Sequence, residues 1–99
     1  MKRVILRGCI EIPMNDLEAV LAELPRHIAH TRAETGCVEF RVSQRANEPC
    51  VFDVYEEFDT AEAFDAHQSR VRDSAWANVT HRAERHYQVS AGDSGTQSR

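Results

Sequence analysis

Between Cys50 and His67 the apolar residues change period within one short stretch, CVFDVYEEFDTAEAFDAH. Phe52, Val54 and Phe58 alternate with Asp53, Tyr55 and Glu57, the pattern of a strand with one buried face. Asp59 followed three residues later by Glu62 reads as a helix N-cap with its capping box. Ala63, Phe64 and His67 then share one face of a helix. A strand that turns directly into a helix must lay that helix back over its own buried face. Two polar residues fall inside that layer. Glu56 is in phase with Phe52, Val54 and Phe58, and His67 is in phase with Phe64, so an acid and an imidazole are expected between strand and helix.

The rest of the chain supplies the partners of this unit. Val4, Leu6, Ile10 and Ile12 alternate over residues 3–12, which predicts a first strand ended by Pro13. Gly8 lies in the apolar phase, where a missing side chain leaves space or lets a helix approach. Asn15 is the expected cap of a first helix carrying Leu17, Val20, Leu21, Leu24, Ile28 and Thr31 on its apolar stripe. Pro25 is expected to kink or restart that helix, and Gly36 to cap its C-terminus. Val38, Phe40 and Val42 predict a second strand over 37–45, joined to the third through a turn at 46–49. A helix break near 69–73, with a restart capped by Asp73 or Ser74, turns Trp76 and Val79 inward together. Residues 83–90 predict a last strand with Tyr87 and Val89 on the core face, and 91–99 a disordered tail.

The order β-α-β-β-α-β predicts one domain over residues 1–90, an α+β ferredoxin-like sandwich with a four-stranded antiparallel sheet and helices on one face. The other sheet face would carry Ile5, Arg7, Cys9, Glu39, Arg41, Asp53, Tyr55, Glu57 and His86. Such a face is either solvated or meets a second sheet whose charges pair with it; a chain this short gains from the second arrangement, so a homodimer is expected.

Bulk properties exclude several classes. A net charge of −4 with scattered basic residues argues against nucleic acid as a partner. No apolar run approaches the roughly 20 residues that span a bilayer, and the alternation at the N-terminus is that of a strand, not of a signal peptide. Cys9, Cys37 and Cys50, odd in number and widely spaced, predict reduced thiols in the cytoplasm. No metal-ligand spacing, phosphate loop or nucleophile elbow is present; His27 and His30 stand three apart on the first helix and are expected at its periphery.

The segments GCVEFRV at 36–42, FDVYEEF at 52–58 and EAFDAH at 62–67 resemble, in order and spacing, the antibiotic biosynthesis monooxygenase (ABM) family of small dimeric α/β-barrel proteins. The resemblance covers residues 3–90. It implies an oxidoreductase that needs no metal or flavin, acting on a small electron-rich aromatic molecule of phenol or quinol type. The family also holds isomerases of small oxygenated metabolites and haem-degrading enzymes. The link SRVRDSA at 69–75 is longer than the family's, and Gly8 stands where haem-degrading relatives carry Asn, which argues against haem. On this reading His67 is the catalytic base and Glu56 orients it, while Trp76, Phe40, Phe52 and Phe64 line the substrate pocket. The competing readings are an isomerase using the same pair and a non-catalytic dimer that binds a small metabolite. Taken without the resemblance, His67 also fits a satisfied core histidine, Glu56 a helix cap or a solvent-facing acid, and the aromatic residues an ordinary core.

Overall fold

A computed structural model describes residues 2–93. Its elements are β1 (Lys2–Glu11), α1 (Leu17–Arg32), β2 (Cys37–Gln44), β3 (Val51–Phe58), α2 (Ala61–Arg72), α3 (Ala75–Val79) and β4 (Glu84–Asp93). The strands form one four-stranded antiparallel sheet in the order β2-β3-β1-β4, the ferredoxin-like arrangement. Leu6, Ile10, Phe52 and Val54 from the sheet meet Val20 of α1 and Trp76 of α3, with Phe64 and Val71 of α2 packed against them. No helix among the described residues is long and apolar enough to cross a membrane.

The alternation in β3 holds throughout: Phe52, Val54, Glu56 and Phe58 are all buried on the helix side. The break after α2 is also present. Ser74 caps α3, its Oγ accepting from the Ala77 N–H at 3.3 Å and donating to the Val71 carbonyl at 2.7 Å. That break is what turns Trp76 inward, to 6% exposure.

Several local expectations give way to nearby contacts. Asn15 does not cap α1; it lies in a short 3-10 turn, Met14–Asp16, begun by the fixed φ of Pro13. Asp16, next in line, turns its carboxylate to Arg82 and leaves the helix N-terminus without a side-chain cap. Helix α1 runs on through Pro25, which is exposed, so the carbonyl left without a donor can meet water. Gly36 is not the C-cap. It lies beyond Ala33, and a Cβ there would stand 2.5 Å from the Ala63 Cβ, so glycine lets this loop touch the start of α2. Helix α2 is capped by Thr60 rather than Asp59: the Thr60 Oγ1 accepts from the Ala63 N–H at 3.0 Å, while the Asp59 N–H donates to the Gly36 carbonyl.

On β2, Val38 is 45% exposed because the register slips between Cys37 and Glu39, making it the extra residue of a bulge. Gly8 admits a strand and not a helix, since a Cβ there would meet the His86 carbonyl of β4 at 1.9 Å. Strand β4 runs past Ser90: Ala91, Gly92 and Asp93 pair with Val4, Arg3 and Lys2. The expected tail therefore loses its first three residues to the sheet, and 94–99 lie outside the described residues. Val89 pairs with Leu6 yet stays 56% exposed, at an edge strand that the helices leave uncovered.

The open sheet face has the expected membership, in rows fixed by register: Ile5 with Glu57 and Glu39, Arg7 with Tyr55 and Arg41, Cys9 with Asp53. Most of its charges have partners within the chain. Arg3 meets Glu57, Arg45 holds Asp53 through two N–H groups, and Arg7 and Arg41 flank the Tyr55 ring.

Candidate functional site

Glu56 owes its position to the phase of β3, where it sits between Leu6 of β1 and Phe40 of β2. His67 owes its own to the phase of α2. Both side chains point into the layer between sheet and helices, Glu56 at 7% exposure and His67 at 2%. Their nearest atoms, Glu56 Oε1 and His67 Nε2, are 3.6 Å apart. That separation is an electrostatic contact and too long for a hydrogen bond, which leaves Glu56 Oε1 buried without a hydrogen-bond partner.

The residue that orients the imidazole is Glu34, in the loop after α1. Its Oε1 lies 2.7 Å from His67 Nδ1. Its other oxygen accepts from Arg70 Nε, and Arg70 donates further to Thr31 Oγ1 at 3.1 Å. A hydrogen-bonded chain of four side chains thus runs from Thr31 of α1 through Arg70 and Glu34 to His67, whose Nε2 faces Glu56 of the sheet.

His27 belongs to the same cluster and not to the periphery. It is 5% exposed and lies parallel to Trp76, with its ring centre 5.4 Å from Phe40 and 6.3 Å from His67. Its Nδ1 is a second buried atom without a hydrogen-bond partner. Phe40 and His67 meet at 6.0 Å, and His67 also packs on Phe58 at 4.9 Å. Of the residues expected to line a pocket, Phe40 and Trp76 join this group. Phe52 is fully buried in the apolar core, and Phe64 packs edge-on against Phe58.

Burial sets the protonation of the cluster. It pushes the Glu56 carboxyl up to about 7, with the charge of Glu34 adding to the effect. It lowers His67, against the opposing pull of Glu34. It lowers His27 to about 3, helped by the charges of His67 and Arg70. Near neutral pH the cluster therefore holds a carboxyl at its titration point beside a neutral imidazole, an arrangement that can take up or give back one proton.

A cavity of about 510 Å³ opens between α1 and the α2–α3 junction, lined by Arg26, His27, His30, Arg70, Asp73 and Trp76 among others. His27, stacked on Trp76, thus stands between that opening and Phe40. Elsewhere, Glu11, Glu84 and His86 place ligand-type atoms within 4.8 Å of one another. All three are exposed, and His86 stands 3.4 Å from Glu11 and 3.9 Å from Glu84, which is the geometry of surface ion pairs.

Glu34, Arg70 and His27 were not singled out from the sequence as members of the site. His27 had a legible signal, since Leu17, Val20, Leu24, His27 and Thr31 follow helical spacing. Arg70 stands one turn after His67. Glu34 lies in a loop, where no periodicity reports direction.

A family model described as antibiotic biosynthesis monooxygenase matches residues 4–88. Among solved structures, a candidate antibiotic biosynthesis monooxygenase of Nitrosomonas europaea superposes with a TM-score of 0.76 at 19% identity, covering 97% of this chain and 94% of that one. A second, from Deinococcus radiodurans, gives 0.66 at 18% identity, covering 97% and 96%. A Pseudomonas aeruginosa protein gives 0.74 at 20% identity, covering 92% of each. At such identities the superpositions establish the fold. None of the curated proteins matches the sequence.

Proposed function

The chain belongs to the antibiotic biosynthesis monooxygenase family, and on that premise we propose that it is a cofactor-independent monooxygenase of a small electron-rich aromatic, of phenol or quinol type. The observation that carries the reading is the buried Glu56–His67 pair, with one carboxylate oxygen left without a hydrogen-bond partner beside Phe40. An unpartnered buried polar atom costs about 1–3 kcal/mol. A substrate hydroxyl would supply the missing partner.

The pair takes the hydroxyl proton, giving an anion with its charge spread into the ring. That anion adds to dioxygen at a ring carbon still bearing hydrogen, forming a C–O bond and a peroxide anion. The proton returns from the pair to the peroxide. Loss of water breaks the O–O and C–H bonds and leaves C=O, so the hydroxyl O–H, one ring C–H and O₂ become two C=O groups and H₂O. All four electrons come from the substrate, and no outside reductant enters. The surrounding Phe40, Phe58 and Trp76 suit a flat apolar substrate and keep competing water away from the anion. His67 serves as base in this scheme, with Glu56 sharing its proton. The homodimer joined through the open sheet face belongs to the same reading. The unpaired thiols of Cys9, Cys37 and Cys50 suit a reducing cytoplasm.

Oxygen uptake against a panel of quinols and hydroxylated polycyclic aromatics tests the reaction. The expected result is one dioxygen consumed per substrate, abolished by His67→Ala and reduced by Glu56→Gln. Isomerised product without oxygen uptake would assign the same pair to proton shuttling, and tight binding without turnover would make the protein a metabolite-binding dimer. Either outcome overturns the monooxygenase reading.

A further inference from the structure

Both ring nitrogens of His67 face a carboxyl group, and the two carboxyls have different surroundings. Glu34, at Nδ1, is braced by the Arg70 guanidinium, which Thr31 holds in turn. Glu56, at Nε2, has no cation against it and lies between Leu6 and Phe40. A carboxylate held by a guanidinium is an acceptor only, so the atom facing it at 2.7 Å must carry the proton. That assigns the hydrogen to Nδ1 and the lone pair to Nε2.

We infer that Glu34 is a positioning residue: braced by Arg70, it holds His67 in the Nδ1–H tautomer and so leaves Nε2 free to share a proton with Glu56. The inference rests on reading the Glu56–His67 pair as the base. One proton then serves both partners. A substrate proton arriving at Glu56 can pass to Nε2, and the imidazolium that forms is stabilised through Nδ1–H by Glu34. The charged or titratable groups around His67 are Glu34 from the loop, Glu56 from β3, Arg70 from its own helix and His27 from α1. Of these, Glu34 is the one that raises the proton affinity of the ring against burial and Arg70. Without Glu34 no acceptor in this set faces Nδ1, and the proton can settle on Nε2, where it blocks the exchange with Glu56.

Long-range ¹H–¹⁵N spectra of the imidazoles in the full chain read the tautomer directly. Wild type should show His67 protonated on Nδ1 and bare on Nε2. Glu34→Ala should shift it toward Nε2–H. Glu34→Gln, whose amide oxygen still accepts from Nδ1–H, should keep the tautomer while the pH midpoint of ring protonation falls. In oxygen uptake Glu34→Ala should lose about tenfold or more in kcat at nearly constant KM, against the roughly 10²–10⁴-fold supplied by a positioned acid–base group; Glu34→Gln should recover part of it. An unchanged His67 tautomer in Glu34→Ala overturns the inference. Should Glu34→Ala fail to fold, Glu34→Gln decides, and a midpoint equal to wild type overturns it. A wild type without turnover defeats the monooxygenase reading and leaves the spectra to judge the tautomer.

Discussion

The imidazole of His27 lies flat against the indole of Trp76, ring centres 4.5 Å apart and planes 3° from parallel. The stack ties the middle of α1 to the one-turn helix α3, and Phe40 of β2 closes on it edge-first. Two helices and a strand are thus joined through one neutral imidazole. The indole gains a stacked neighbour, while the imidazole gives up water on most of its surface.

Acid should loosen this joint. Burial lowers His27 from its ordinary 6.5 to about 3, so the unfolded chain binds this proton more readily than the folded one. The stability His27 permits is therefore complete above pH 6.5 and is lost as pH falls toward 3, by of order 5 kcal/mol at most. His27→Phe keeps a stacked ring and has nothing to titrate. Urea unfolding at pH 7 and pH 4 should show the variant losing less between the two than wild type; parallel losses would place the acid sensitivity elsewhere.

Glu56 should act in the opposite direction. Its folded value, about 7, lies above the ordinary 4.5, so the folded chain holds this proton more tightly than the unfolded one. Relative stability is fully present below pH 4.5 and is lost as pH rises through 7, by of order 3 kcal/mol. Glu56→Gln removes that loss. Its advantage over wild type in chemical unfolding should grow between pH 5 and pH 8 and then level off. A difference independent of pH would mean that the carboxyl is not desolvated.

These two residues mark what the sequence could and could not convey. Glu56 was legible because β3 keeps strict alternation from Phe52 to Phe58, and a carboxylate in that phase has one direction to point. His67 followed from the phase of Phe64, and the turn between α2 and α3 from the misfit of Trp76. His27 is harder to read because its apolar neighbour Ile28 also fits the stripe, although Ile28 is only partly buried and His27 is the covered residue. The two helix starts differ from expectation for local reasons: the fixed φ of Pro13 puts Asn15 in a 3-10 turn, and the Thr60 hydroxyl, one residue after Asp59, reaches the Ala63 N–H. The Glu34 contact spans 33 positions and starts in a loop, so only the packing of α2 on that loop reveals it.

The cap of α2 gives a local test. Thr60 Oγ1 accepts from the Ala63 N–H, whereas Asp59 meets Gly36 through its backbone. Thr60→Ala should therefore destabilise the fold by about 1 kcal/mol, the usual cost of an N-cap. Asp59→Ala, which keeps the backbone bond, should cost less. Thermal melts of the two variants at one pH compare them, and the reverse order would return the cap to Asp59.

The open sheet face supports the last prediction, that two copies of the chain associate through it. Burying charged side chains is costly unless each keeps a partner, and on this face most already have one within the chain. Arg7 and Arg41 stand 5.4 and 4.8 Å from the centre of the Tyr55 ring. The Tyr55 hydroxyl donates to Glu57 at 3.0 Å, and Glu57 also receives Arg3. A second copy can cover this lattice without stripping a charge of its partner, and the aromatic at its centre is the residue type that dominates such interfaces. Sedimentation at micromolar concentration should give twice the chain mass of 11.3 kDa. Tyr55→Ala should weaken association by about 2 kcal/mol, roughly thirtyfold in the dissociation constant. Arg41→Glu sets a second acid beside Glu39, which Arg41 now meets at 3.4 Å, and should weaken it as well. A wild-type mass of one chain, or variants that dimerise as tightly as wild type, would show that this face is turned to water.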